Sequence, residues 1–185
     1  MSQAITIMGI AGSLRQASYN HAALVAAQSM LPDDARLDIF DLAGLPLFNQ
    51  DVEGDGNANV VAFKRAIRDA DAILFATPEY NYCIPGVLKN AIDCASRPFG
   101  DSAWAGKPVG VMGASVSSMG SVRAQYQLRQ CFVALDMYAV NRPEVMIPNA
   151  TSAFDVDGVL RDATSRALIR ELLLALVRLT RQLKH

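Results

Sequence analysis

The chain has 185 residues, 51% hydrophobic and 19% charged, with a formal net charge of −1. That balance excludes disorder, fits one domain spanning residues 1–185 and favours strands buried on both faces. Near-neutrality without a Lys/Arg run argues against a nucleic-acid partner, and no apolar stretch is long enough for membrane insertion.

In chain order, the apolar run at 5–10 predicts a first strand, and 18–31 a helix whose small-residue face carries Ala23, Ala26 and Ala27. A second strand is predicted at 36–40. Residues 42–48 read as a loop, because Gly44 and Pro46 break any period. A helix at 57–68 precedes a strongly apolar strand at 72–76, ended by Thr77-Pro78. A helix at 86–96, a strand at 108–113 and a helix at 121–134 follow, and 138–147 is expected to carry the fifth strand. The last helix, 162–182, repeats Leu168, Ile169, Leu172, Leu173, Leu176 and Val177 at the 3.6 period; Arg166, Arg170, Arg178, Arg181 and Lys184 read as its wet face. Alternating strands and helices imply a parallel sheet covered on both sides. Right-handed crossovers then point to an α/β, flavodoxin-like three-layer sandwich with a five-stranded sheet of order 2-1-3-4-5. A ligand in that arrangement lies beyond the strand C-termini, where strands one and three part.

The first such junction reads Gly12-Ser13-Leu14-Arg15-Gln16-Ala17-Ser18-Tyr19-Asn20. A small-residue turn entering a helix offers unpaired N–H groups and a partial positive charge, the layout of a phosphate cradle. Ser13 and Ser18 add hydroxyls, and Arg15 a guanidinium that grips phosphate oxygens through two N–H groups. The segment lacks the lysine of a nucleoside-triphosphate loop, and no third glycine follows Gly9 and Gly12. A single terminal phosphate, as on FMN, suits it better than a pyrophosphate. From this segment alone, a Gly-Ser turn capping a helix beside a solvated Arg15 fits equally.

The segment after strand three, 77–86, is polar and aromatic, stiffened by Pro78 and Pro85. A rigid loop can aim backbone groups at the edge of a planar heterocycle, with Tyr80 or Tyr82 beside the ring. The alternative is an ordinary strand-to-helix turn whose tyrosines cover apolar surface. Cys83, Cys94 and Cys131 show no C-x-x-C spacing, which suits a reducing cytoplasm; all three read as packing residues. Trp104 reads as the anchor of the loop before strand four. His21 and His185, the only histidines, have no neighbours suited to a metal.

Taken together, Gly-Ser-Leu-Arg-x-x-Ser-x-Asn at 12–20, Pro-Glu-Tyr-Asn at 78–81 and the run from Pro85 to Asp93 resemble the NAD(P)H-dependent FMN reductase family, in its bacterial quinone and chromate reductase branch. The resemblance implies non-covalent FMN, with its phosphate held by Ser13, Arg15, Ser18 and Asn20. Pro78, Glu79, Tyr80 and Asn81 would line the ring, and the 113–120 segment, with Ser115 and Ser117, its far side. Ser117 stands where relatives carry glycine, and Cys83 where they often carry serine. The implied activity uses NADPH or NADH as co-substrate, hydride passing through flavin N5 to quinones and other soluble acceptors such as chromate. No catalytic side chain is required, and Glu79 reads as a solvated or helix-directed carboxylate rather than an acid. A homodimer or homotetramer is implied, with Tyr82, Arg123, Tyr126 and Glu144 as candidate contacts between dimers; a solvated helix face explains Arg123 and Tyr126 equally. The alternative function is a flavodoxin-type electron carrier without its own NAD(P)H oxidation. Such carriers are strongly acidic, and a net charge of −1 argues against it.

Overall fold

In the three central strands, alternate side chains enter two separate cores, so a pure apolar run serves both faces of one sheet. The computed structural model describes residues 4–184, leaving His185 outside them. In β1 (Ile5–Ala11), Ile5, Ile7 and Ala11 enter one core, while Met8 and Ile10 enter the other. In β3 (Ala72–Ala76), Ala72, Leu74 and Ala76 alternate in the same way with Ile73 and Phe75. In β4 (Pro108–Ala114), Met112 and Ala114 oppose Val109 and Val111.

The first core lies under α1 (Tyr19–Gln28) and α6 (Ala163–Leu183), whose buried stripe includes Ile169, Leu172, Leu173 and Leu176. The second lies under α2 (Ala58–Asp69), α3 (Gly86–Ser96) and α4 (Val122–Ala134). Trp104 sits in the middle of this second core, fully buried, with its indole N–H donating to the Ile92 carbonyl at 3.1 Å. Phe63 and Phe75 each lie 5.7 Å from its ring, so it is a core centre and not merely a loop anchor. Among the described residues, no helix is long and apolar enough to cross a membrane.

With β2 (Ala35–Phe40) at one edge, the strands run parallel in the order β2-β1-β3-β4-β5. The fifth strand is the main correction to the expected elements. Instead of one strand over 138–147, two short pieces, β5 (Tyr138–Ala139) and β6 (Val145–Ile147), both pair with β4. Pro143 lies between them, and proline has no N–H to give a ladder. Two further short pieces had no sequence signal: a 3-10 turn, Gln50–Val52, and the four-residue helix α5 (Ala150–Ala153).

The expected wet face of α6 is partly paired. Arg181 meets Asp34, and Lys184 lies 2.6 Å from Asp71, tying the helix to the sheet's N-terminal end. Asp71 also accepts from the Thr6 N–H at 2.8 Å. Burial raises the carboxyl of Asp71, but the hydrogen bonds from Lys184 and Thr6 outweigh this and hold it below the ordinary value.

Candidate functional site

Sheet order reverses between β1 and β3, and the segments leaving β1, β3 and β4 meet at that crevice. The backbone joins them directly: Gly12 N–H donates to the Ala76 carbonyl at 2.8 Å, and Thr77 N–H to Met112 at 3.0 Å. A Cβ on Gly113 would overlap both the Ser121 hydroxyl and the Thr77 carbonyl, so only glycine allows this approach.

The segment after β1 carries a run of free donors. Among the described residues, the amides of Leu14, Gln16, Ala17, Ser18 and Tyr19 have no partner, while Arg15 N–H donates to Ser13 Oγ at 3.3 Å. Arg15 is exposed and belongs to no ion pair among the described residues; its guanidinium carbon lies 5.5 Å from the centre of the Tyr19 ring. Ser18 caps α1, its Oγ accepting from His21 N–H at 3.2 Å, which leaves the hydroxyl proton free for another acceptor. A phosphate monoester needs several N–H donors and a cation, and this segment offers both without internal competition.

Asn20 stands apart from this set. Its carboxamide is buried, donating to the Ala114 carbonyl at 3.0 Å and accepting from the Ala114 N–H at 2.8 Å. Ala114 lies past the last β3–β4 rung, Ala76 with Met112, so Asn20 stands in for the missing strand partner. The side chain that the resemblance assigns to the phosphate thus braces α1 against β4.

The segment after β3 lies beside the cradle, with the Tyr80 hydroxyl 3.3 Å from Ser13 Oγ. Pro78 is buried, whereas Tyr80 and Asn81 are exposed. Tyr80 and Cys83 exchange both backbone hydrogen bonds, at 3.1 and 2.9 Å, closing a two-residue turn. Asn81 and Tyr82 both take positive φ, 52° and 66°, as a type I′ turn demands. Asparagine tolerates that region; tyrosine does not favour it.

Glu79 also departs from the expected ring lining. Its carboxylate turns to the start of α4, accepting from the N–H groups of Arg123 at 2.8 Å and Ala124 at 3.2 Å. It also pairs with the Arg123 guanidinium. This is the helix-directed carboxylate expected from sequence: the helix end has orphan donors and positive partial charge, and Glu79 meets both. The Arg123 guanidinium lies 3.9 Å over the Tyr82 ring.

After β4, Ser117 N–H donates to Ser115 Oγ at 3.2 Å, and the Ser117 hydroxyl lies 3.3 Å from the Gly120 carbonyl. The side chain that replaces the expected glycine is thus exposed and tied within its own loop. Gly120, at φ 62°, makes the left-handed turn that returns the chain to α4.

The four candidate contacts between dimers pair within one chain. Arg123 is held by Glu79 and Tyr82, and the Tyr126 hydroxyl donates to Glu144 at 2.9 Å. That hydrogen bond and the Glu144 charge hold the Tyr126 phenol above its usual value. Cys83 is exposed, contrary to a packing role, because the turn projects it from the sheet. Cys94 is buried and Cys131 half-buried, and burial raises both thiols.

A separate cleft of about 500 Å³ lies between the 46–57 segment, α2 and Arg97–Asp101. Each of its cations is already ion-paired, Lys64 and Arg68 with the shared Asp101 and Arg97 with Glu53. It offers a phosphate no free positive group to match Arg15.

Comparison with known proteins agrees with this geometry. Residues 5–152 match the family described as NADPH-dependent FMN reductase. An NAD(P)H-dependent FMN reductase of Pseudomonas aeruginosa is 49% identical over 185 residues, covering 100% of both chains. A quinone reductase of Pseudomonas putida is 43% identical over 165 residues, 89% of each chain. Among solved structures, the flavoenzyme NAD(P)H:(acceptor) oxidoreductase FerB from Paracoccus denitrificans superposes with a TM-score of 0.88 at 31% identity, covering 96% of this chain and 98% of that one.

Proposed function

Because the chain belongs to the NADPH-dependent FMN reductase family, we propose that it oxidises NAD(P)H through bound FMN and delivers the electrons to quinones. The observation that carries this reading is the cradle after β1. Amides without a partner among the described residues, and an Arg15 in no ion pair among them, lie beside a rigid loop at the β1–β3 switch point, joined by the contact between Ser13 and Tyr80. When bound, FMN supplies two-electron transfer between a nicotinamide and an acceptor.

The chain's own residues bind and orient. The Arg15 guanidinium, the hydroxyls of Ser13 and Ser18 and the amides of Leu14, Gln16, Ala17, Ser18 and Tyr19 would hold the phosphate dianion. Pro78, Tyr80 and Asn81 would line one edge of the ring, and the loop carrying Ser115 and Ser117 the far side. Asn20 and Glu79 act one step back, fixing the strand and helix that frame these loops. The reading requires no protein nucleophile. A homo-oligomer belongs to the same reading: Tyr82 and Tyr126 are exposed beside the site and offer aromatic surface for a contact between dimers.

The test is titration of flavin-free protein with FMN and with riboflavin, followed by tryptophan and flavin fluorescence. Saturable binding of FMN, with riboflavin much weaker, supports a phosphate-anchored site. Equal binding of both, or of neither, contradicts it.

A further inference from the structure

One face of α4 grips the loop beside the cradle at four points. Glu79 takes the N–H groups of Arg123 and Ala124, and the Arg123 guanidinium covers the Tyr82 ring. One turn further along the same face, Gln127 makes two contacts across the strained turn. Its Nε2 donates to the Tyr82 carbonyl at 2.9 Å, and its Oε1 accepts from the Ile84 N–H at 3.3 Å. Both polar atoms of this side chain are thus spent on the backbone either side of Cys83. Tyr82 is the residue that needs such support, at φ 66° with its side chain exposed. Backbone strain of this kind persists only where the surroundings over-determine it.

We propose that Gln127 is a positioning residue for the ring-edge loop: by clamping the Tyr82 carbonyl and the Ile84 N–H it holds the tandem left-handed turn at Asn81 and Tyr82, and so keeps the 78–81 segment in its flavin-ready shape. This rests on the flavin reading above and deepens it. A turn held in this way by α4 is ordered by the fold itself, which places its ordering cost in folding and not in binding. Two partners of opposite type are needed, a donor for a carbonyl and an acceptor for an amide. A carboxamide supplies both in one side chain.

Two variants and a rescue test the proposal. In Gln127→Ala both contacts go. In Gln127→Glu an acceptor for Ile84 remains, but the donor to Tyr82 is lost and a carboxylate faces that carbonyl. Adding Tyr82→Gly to Gln127→Ala gives an Asn-Gly turn, which adopts positive φ at both positions without help. In flavin-free protein, amide exchange across 79–85 should quicken in both single variants and return toward the wild-type rate in the double variant. FMN affinity should fall about tenfold in Gln127→Ala, equivalent to about 1.4 kcal/mol. In the double variant it should recover to within about threefold of Tyr82→Gly alone, which corresponds to about 0.6 kcal/mol.

A merely structural role for Gln127 in α4 would lower Tm, but glycine at position 82 would not restore it. Unchanged exchange in Gln127→Ala, or a double variant no better than that single one, overturns the clamp. Failure of the wild-type chain to bind FMN overturns the proposed function and the ring-edge role with it, while exchange still reports whether the turn is clamped.

Discussion

Replacing Asn20 with alanine separates a brace from a ligand contact. The carboxamide meets Ala114 twice, at 3.0 and 2.8 Å, and Ala114 is 2% exposed, so water cannot replace either bond without opening the sheet. Leaving a buried N–H and a buried C=O unpaired costs about 1–3 kcal/mol each, hence roughly 2–6 kcal/mol together. For a chain of this size each kcal/mol moves Tm by about 2–4 °C, so the fall should be roughly 4–24 °C. Differential scanning fluorimetry of flavin-free protein reads this directly. Asn20→Asp sharpens the test, because its carboxylate faces the Ala114 carbonyl. At neutral pH it should be at least as damaging as alanine. Acidification should recover part of the loss, since a protonated acid regains a donor. A fall below about 2 °C in Asn20→Ala would show that Ala114 finds other partners and would refute the brace.

Arg15→Ala should leave the Tm of flavin-free protein unchanged, because Arg15 is exposed and unpaired, but weaken FMN about 10–100-fold, the weight of one or two charged hydrogen bonds; unchanged flavin affinity by fluorescence titration would remove it from the cradle. In Gly113→Ala the new methyl meets the Thr77 backbone carbonyl, which cannot step aside, so the β3–β4 crossover should open; a wild-type yield and Tm would contradict this. Asp71 has a folded-state carboxyl below its ordinary value, so its stabilisation is fully present above the unfolded Asp range and is lost as pH falls through the lower folded value. Asp71→Asn should therefore lie below wild type in urea denaturation at neutral pH, with the gap closing in acid. A gap independent of pH would assign the contribution elsewhere.

Strand order and the limits of most helices were legible because the signal is local. Five apolar residues in a row at 72–76 suit only a strand covered on both sides, and the apolar repeat of 163–183 suits only a helix on that sheet. The exposed donors and cation after β1, proposed as the phosphate cradle, could be named for the same reason, since they lie close together along the chain. What could not be read depends on partners far away in sequence. Asn20 looks like a ligand contact until Ala114, 94 residues on, occupies its carboxamide. That the Glu79 carboxylate turns to a helix could be read, but not which one: its partners at the start of α4 lie 44 residues on. The broken fifth strand did carry a sign, Pro143, which should have divided 138–147. The tight turn carried half of one: Asn81 suits a left-handed position, but tyrosine follows where glycine is usual.

The most direct test of the central claim is anaerobic addition of NADPH to the FMN-loaded chain, monitored by flavin absorbance, followed by a soluble benzoquinone. The account predicts rapid bleaching without a partner protein and prompt return of the yellow colour with the quinone, both lost when flavin is not retained in Arg15→Ala. A yellow protein that neither NADPH nor NADH bleaches would mark a carrier and not a reductase, and would contradict the account.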